Sequence, residues 1–132
     1  MSETAIAPAG IASLSEEYLA AWEALDPDRI ISLHTDDTRF QVHAGTTQFA
    51  EGSDDVRQAF ADLFEQWPGF GFETHRLLLA DSHWVLDWTL TADGGVRLGC
   101  LDVVEVCSEG KVARKDTYVD VADLNALLEG LS

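Results

Sequence analysis

The apolar residues of this chain change period once. Up to about residue 67 they recur every three or four positions; from Phe72 onward they alternate every second position. The first period marks helices with one buried stripe and the second marks half-buried strands. A block of helices followed by a block of strands, within 132 residues, predicts one α+β domain in which helices cover one face of a mostly antiparallel sheet.

Ile11, Leu14, Tyr18, Trp22 and Leu25 form the stripe of a first helix over residues 11–25, with residues 1–10 as a flexible N-terminus ahead of a single domain over 11–132. Ser13 and Glu16 would make a capping box if that helix starts late. Asp26-Pro27-Asp28 restarts the chain, with Asp26 as N-cap, Pro27 at the first helical position and Asp28 at the positive end of the helix dipole. A short second helix runs to about His34 with Ile30, Ile31 and Leu33 inward, Asp36-Asp37 ends it, and Thr38–His43 reads as a strand. Residues 45–52 read as a loop. Ser53 then caps a third helix whose stripe is Val56, Ala59, Phe60, Leu63, Phe64 and Trp67, stopped by Pro68-Gly69. Strands are expected at 72–80, 83–92, 96–106 and 111–120, with turns at Asp81-Ser82, Asp93-Gly94-Gly95 and Glu109-Gly110, and a short helix over 121–128. A long sheet curling over a helical layer leaves an apolar pocket suited to a small ligand.

Charge excludes several classes. Twenty-four acidic side chains face eight basic ones, a net charge of −16, which repels nucleic acid and anionic lipid alike. No apolar run approaches the roughly 18 residues that span a bilayer. The first twelve residues carry neither a basic segment nor a long apolar one, so the expected place is the cytoplasm. Cys100 and Cys107, if on one strand, stand about 23 Å apart, beyond the reach of a disulfide. Two free thiols suit a reducing compartment. The histidines, His34, His43, His75 and His83, show no metal-ligand spacing. Phosphate-loop, dinucleotide and G-x-S-x-G motifs are lacking, so neither metal nor other cofactor is expected.

Several segments together resemble the nuclear transport factor 2-like superfamily, and within it the SnoaL-like polyketide cyclases and the ketosteroid isomerases. They are Tyr18 to Trp22 (YLAAW), Asp26 to Ile30 (DPDRI), His34 to Asp37 (HTDD) and Gly52 to Arg57 (GSDDVR). They continue with Trp84 to Trp88 (WVLDW), Leu101 to Val106 (LDVVEV) and Gly110 to Val112 (GKV). The resemblance implies a cone-shaped roll over residues 11–128. Ketosteroid isomerases use an Asp base on the first strand, with a Tyr on the first helix and a protonated Asp on the penultimate strand as oxyanion hole. Carried over, the Tyr falls on Tyr18 and the acid on Glu105. The base falls on Val42, where no base stands; His43 and Gln41 are one step away, and a strand bulge would be needed to turn His43 inward. Related epoxide hydrolases place an Arg two residues before an active Asp. Asp87 fits the Asp, but Val85 stands in place of the Arg.

Glu105 shares its strand face with Leu101 and Val103. It either lies in the pocket, where desolvation raises its pKa, or pairs outside with Arg114 or Lys115. Asp102 then points away and pairs with Arg114 or Lys115. The expected pocket walls are Trp22, Phe40, Val42, Phe60, Trp84, Trp88, Leu101 and Val103. The opposite sheet face, carrying Val104 and Val106, would be covered by a second copy.

These readings lead to a cofactor-free enzyme acting on a compact apolar carbonyl compound by proton transfer (isomerisation, cyclisation or dehydration). Tyr18 and Glu105 polarise the carbonyl, and His43, Asp87 or His75 moves the proton. The alternative is a non-catalytic small-molecule-binding or dimeric interaction module of the same fold.

Overall fold

A computed structural model of the chain describes residues 8–130. Helix α1 (Pro8–Glu23) is followed by α2 (Pro27–Ile31), β1 (His34–Ala44), β2 (Thr46–Glu51) and α3 (Ser53–Gln66). Then come β3 (Gly71–Leu79), β4 (His83–Ala92), β5 (Val96–Val106), β6 (Val112–Val119) and α4 (Val121–Gly130). The six strands form one curved sheet in the order β2-β1-β6-β5-β4-β3, antiparallel throughout except for the β1–β6 pair. The helices lie against one face of it, so the fold is α+β, as the period change predicts. No helix among the described residues is long and apolar enough to cross a membrane.

The helical stripes meet the inner sheet face in one aromatic core. Trp22 packs edge-on against Phe60 and Phe64, with ring centroids 5.0 and 5.4 Å away. Tyr18 meets Trp84 at 5.6 Å in the same edge-on manner. Asp26 caps α2 as expected, its carboxylate accepting from the Asp28 and Arg29 amides at 3.1 and 3.2 Å.

Several boundaries differ from expectation. The flexible segment expected over 1–10 lies outside the described residues for 1–7, while Pro8–Gly10 already belong to α1. Ser13 and Glu16 therefore sit inside the helix and form no capping box. The helix stops before Leu25, which adopts φ 54° and is exposed rather than on the stripe. The N-cap of α3 is Gly52 at φ 88°, not Ser53, which is the first helical residue. Residues 45–52 are largely a strand: Gly45 turns the chain at φ 88°, and β2 pairs back along β1 from Ala44↔Thr46 to Arg39↔Glu51. This strand lies at the sheet edge and five of its six residues are exposed, so it lacks the apolar alternation that reveals a half-buried strand.

The start of β1 differs most. His34 does not end a helix; it opens the strand and is buried. The β1–β6 register jumps from His34↔Val112 to Arg39↔Arg114. That irregularity lets Asp36 and Asp37 stand exposed within a strand whose flanking residues, His34 and Thr38, are buried.

Candidate active site

The inner sheet face is built from cross-strand rows. Trp84 on β4 pairs with Val104 on β5, Val104 with Lys115 on β6, and Lys115 with Phe40 on β1. The next row runs Leu86, Asp102, Thr117, Val42. Side chains alternate faces along a strand, so these eight point together toward the helices. With Tyr18, Leu19 and Trp22 of α1, seven of them surround a cavity of about 240 Å³, while Val104 is fully buried in the core. Trp88, Phe72, Leu63 and Leu124 complete its apolar wall, and the exposed Thr46, Gln48 and Gln66 stand at its rim. Typical ligand pockets run from roughly 300 to 1,000 Å³, so this one suits a compact molecule.

The floor holds a buried ion pair. Lys115 Nζ donates to Asp102 Oδ2 at 2.6 Å, and the two side chains are only 5% and 4% exposed. Thr117 Oγ1 donates to the other carboxylate oxygen at 2.7 Å. The ammonium also sits 4.9 Å from the Trp22 ring centre and 5.5 Å from that of Tyr18, within cation–π range. Carboxylate, hydroxyl and two π faces together offset part of the cost of desolvating the charges.

Tyr18 also lines the cavity. Its hydroxyl is 2.9 Å from His34 Nε2, and His34 Nδ1 is 2.8 Å from Thr38 Oγ1. Burial, reinforced by the Lys115 cation, lowers the His34 pKa to about 3, so the imidazole is neutral. Burial likewise pushes the Tyr18 phenol up, and the Asp102 carboxylate adds to this. The Trp22 indole works the other way, though its N–H is not aligned for a hydrogen bond. Tyr18 is thus a protonated phenol at physiological pH.

Of the expected walls, Trp22, Phe40, Val42, Trp84 and Trp88 line the cavity. Phe60 is fully buried beneath it, against Trp22 and Phe40. Leu101, Val103 and Glu105 lie on the outer face of β5, because the residues that turn inward are Leu98, Cys100, Asp102, Val104 and Val106. The Glu105 side chain is 57% exposed and 3.9 Å from Arg114, so it takes the outside pairing and the desolvation expected in the pocket is absent. Asp102 does pair with Lys115, as expected, but inside the cavity. Val104 and Val106 belong to the core rather than to a face open to a second copy.

The candidate bases also lie elsewhere. His43 is on the outer face, 2.9 Å from Asp116 Oδ1 and stacked on Tyr118 at 4.4 Å. The β1 register is continuous through it, so no bulge turns it inward. Burial would raise the Asp116 pKa, but hydrogen bonds from Arg114 and His43 outweigh this and hold it below the usual carboxylate range. Asp87 pairs with Arg76 at 3.2 Å on the outer face. His75 meets Thr89 at 2.7 Å and is exposed; His83, at the start of β4, is exposed too. Cys100 and Cys107 are both free, and burial pushes the Cys100 thiol up to about 12. No three His, Cys, Asp or Glu side chains among the described residues form a metal-binding group.

The SnoaL-like domain model matches residues 15–115, most of the chain. The chain belongs to the SnoaL-like domain family. Solved structures agree on the nuclear transport factor 2-like fold. A candidate ketosteroid isomerase from Kribbella flavida DSM 17836 is 19% identical with a TM-score of 0.72, over 86% of this chain and 79% of that one. A candidate SnoaL-like isomerase from Agrobacterium tumefaciens str. C58 is 20% identical with a TM-score of 0.69, over 85% and 98%. An NTF-2 like protein of unknown function from Burkholderia xenovorans LB400 is 17% identical with a TM-score of 0.72, over 85% and 84%. At these identities the likeness establishes the SnoaL-like fold. No curated protein matches this SnoaL-like chain significantly.

Proposed function

We propose that the chain binds a compact, largely apolar carbonyl compound in its cavity and moves a proton at the carbon next to the carbonyl. The observation that carries this is the Lys115–Asp102 pair, a proton donor and acceptor 2.6 Å apart on the wall of an apolar cavity. Proton transfer requires groups within hydrogen-bond reach of the substrate and a site that excludes bulk water. Asp102 serves as the base in place of the residue that Val42 lacks, and Tyr18 is the phenolic donor to the carbonyl oxygen. Within this reading the protein is a cytoplasmic homodimer, joined through the outer sheet face where Leu101 and Tyr118 are exposed.

A second reading is a binder without catalysis. It is favoured by the engagement of both Asp102 oxygens, by Lys115 and Thr117, which leaves the carboxylate less free to take a proton. One experiment separates the two. 1-Indanone is incubated with the protein in D2O, and loss of its α-proton signal is followed by NMR alongside the thermal transition. Catalysis predicts faster deuterium uptake than in buffer, lost in Asp102→Asn. A raised transition without uptake supports the binder. Neither effect removes the carbonyl reading.

A further inference from the structure

We propose that Lys115 is a carbonyl-condensing amine, its Nζ forming an imine with an apolar aldehyde or ketone in the cavity while Asp102 carries the protons. The inference rests on the carbonyl reading above and deepens it by naming a covalent step.

The sequence contains two lysines, Lys111 and Lys115. Lys111 is exposed and donates to the Ser32 carbonyl at 2.9 Å. Lys115 is buried on the cavity wall, with Tyr18 and Trp22 rings facing its nitrogen and the Asp102 carboxylate as its hydrogen-bonded partner among the described residues. A lysine becomes a nucleophile when an apolar pocket and an adjacent base make its neutral form accessible. Here the proton need travel only along the 2.6 Å hydrogen bond to Asp102 Oδ2. The transfer turns two buried charges into two neutral groups, and an apolar interior penalises charges far more than neutral polar groups. Thr117 holds Asp102 Oδ1, which keeps the carboxyl group facing the amine.

The step balances with no further reactant. The nitrogen lone pair attacks the carbonyl carbon, and the C=O π pair moves to oxygen, which takes the proton held by Asp102. Asp102 then removes a proton from the new C–N nitrogen and delivers it to the hydroxyl. Water leaves as the nitrogen lone pair closes the C=N bond. Ammonium, carboxylate and carbonyl compound thus become iminium, carboxylate and water. The iminium keeps the ammonium's charge, its Asp102 partner and the two ring faces. As an electron sink it acidifies the neighbouring C–H bond, the bond that the proposed proton transfer breaks.

The test uses the unaltered chain with 2-naphthaldehyde as probe and sodium cyanoborohydride as the hydride donor that traps an imine. Reversible binding of the aldehyde is measured first, without reductant, by thermal shift. Peptide mass mapping then follows adducts that gain the mass of the aldehyde less one oxygen. The expected result is labelling at Lys115 at least about tenfold faster than at Lys111, suppressed by excess 2-ethylnaphthalene, which fills the cavity but has no carbonyl. An aldehyde that shifts the thermal transition yet labels Lys115 no faster than Lys111 overturns the imine and leaves the carbonyl reading intact. An aldehyde that neither binds nor labels overturns both.

Discussion

The Tyr18 hydroxyl and His34 Nε2 stand 2.9 Å apart, and both residues are buried, with Tyr18 on the cavity wall. A neutral imidazole carries its proton on one nitrogen only. With that proton on Nε2, Thr38 donates to Nδ1, His34 donates to the phenol oxygen, and the phenolic hydrogen is free to meet a ligand oxygen. Tyr18→Phe therefore removes two things at once. It leaves a buried His34 nitrogen without a partner, which should lower folding stability by about 1–3 kcal/mol in chemical denaturation. It also removes the carbonyl donor, which should cost about 2–4 kcal/mol in the transition state for deuterium uptake by bound 1-indanone. A destabilised variant with unchanged uptake would assign the hydroxyl to His34 alone.

His34 should also make the fold acid-sensitive in a defined window. Its folded pKa, about 3, lies below its unfolded value of 6.5. Below pH 6.5 the unfolded chain binds a proton that the folded chain refuses, so stability is full above that pH and falls as pH drops toward 3. The slope is at most about 1.4 kcal/mol per pH unit from this one group. The carboxylates held low by partners, Asp28, Glu73 and Asp116, lose their contribution only nearer their own titration, at lower pH. Denaturation at intervals between pH 6.5 and 4.5 isolates His34, and His34→Gln should flatten the curve there. An equal slope in that variant would rule out His34 as its source.

The Lys115–Asp102 pair should cost more to halve than to remove. Asp102→Ala leaves a buried ammonium without its counter-charge and is expected to destabilise the fold by about 3–5 kcal/mol. Lys115→Met, Asp102→Leu and Thr117→Val combined replace the polar floor by apolar side chains of similar size. The triple variant should be near wild-type stability or above it by about 1–4 kcal/mol, while ketone-dependent deuterium uptake disappears. A triple variant as unstable as Asp102→Ala would show that the pair holds the fold together.

Glu105→Gln should leave thermal stability within about 0.5 kcal/mol of wild type and ligand binding unchanged, since the side chain lies outside the cavity. The reason Glu105 and Asp102 exchange places is instructive. The helices, the last four strands and the aromatic wall were legible because each has a clear apolar period, and Tyr18, Trp22, Trp84 and Trp88 follow directly from it. Strand β5 is apolar on both faces. Across Leu101 to Glu105 alone, Leu101 and Val103 make the outer face look like the inner one. Over the whole strand, Leu98, Cys100, Val104 and Val106 give four apolar inward positions, and that longer count places Asp102 among them. Lys115 was legible only as a partner for Asp102, because burial of a lysine follows from the register of β6 rather than from its own sequence. His34 was hidden by Asp36-Asp37, which mimic the end of a helix yet sit at a strand irregularity.

The outer sheet face should mediate association of two copies. Leu101 and Tyr118 are paired across β5 and β6 and are 37% and 44% exposed, with Val85 and Val103 paired beside them on the same face. An apolar patch in the middle of a sheet is best covered by a second identical face around a two-fold axis. Leu101→Glu places a charge at that centre, where its desolvation opposes burial, and should weaken dimerisation at least about tenfold, or 1.4 kcal/mol, in sedimentation equilibrium. Each copy carries a net charge of −16, so the two repel one another while the patch attracts. Screening shortens that repulsion from roughly 30 Å at 0.01 M salt to about 8 Å at 0.15 M. The dimer should therefore tighten as salt is added. Salt-independent association would mean that the contact lies where the charges of the two copies do not face each other, and a species that stays monomeric at micromolar concentration at both salt levels would remove the outer face as an interface.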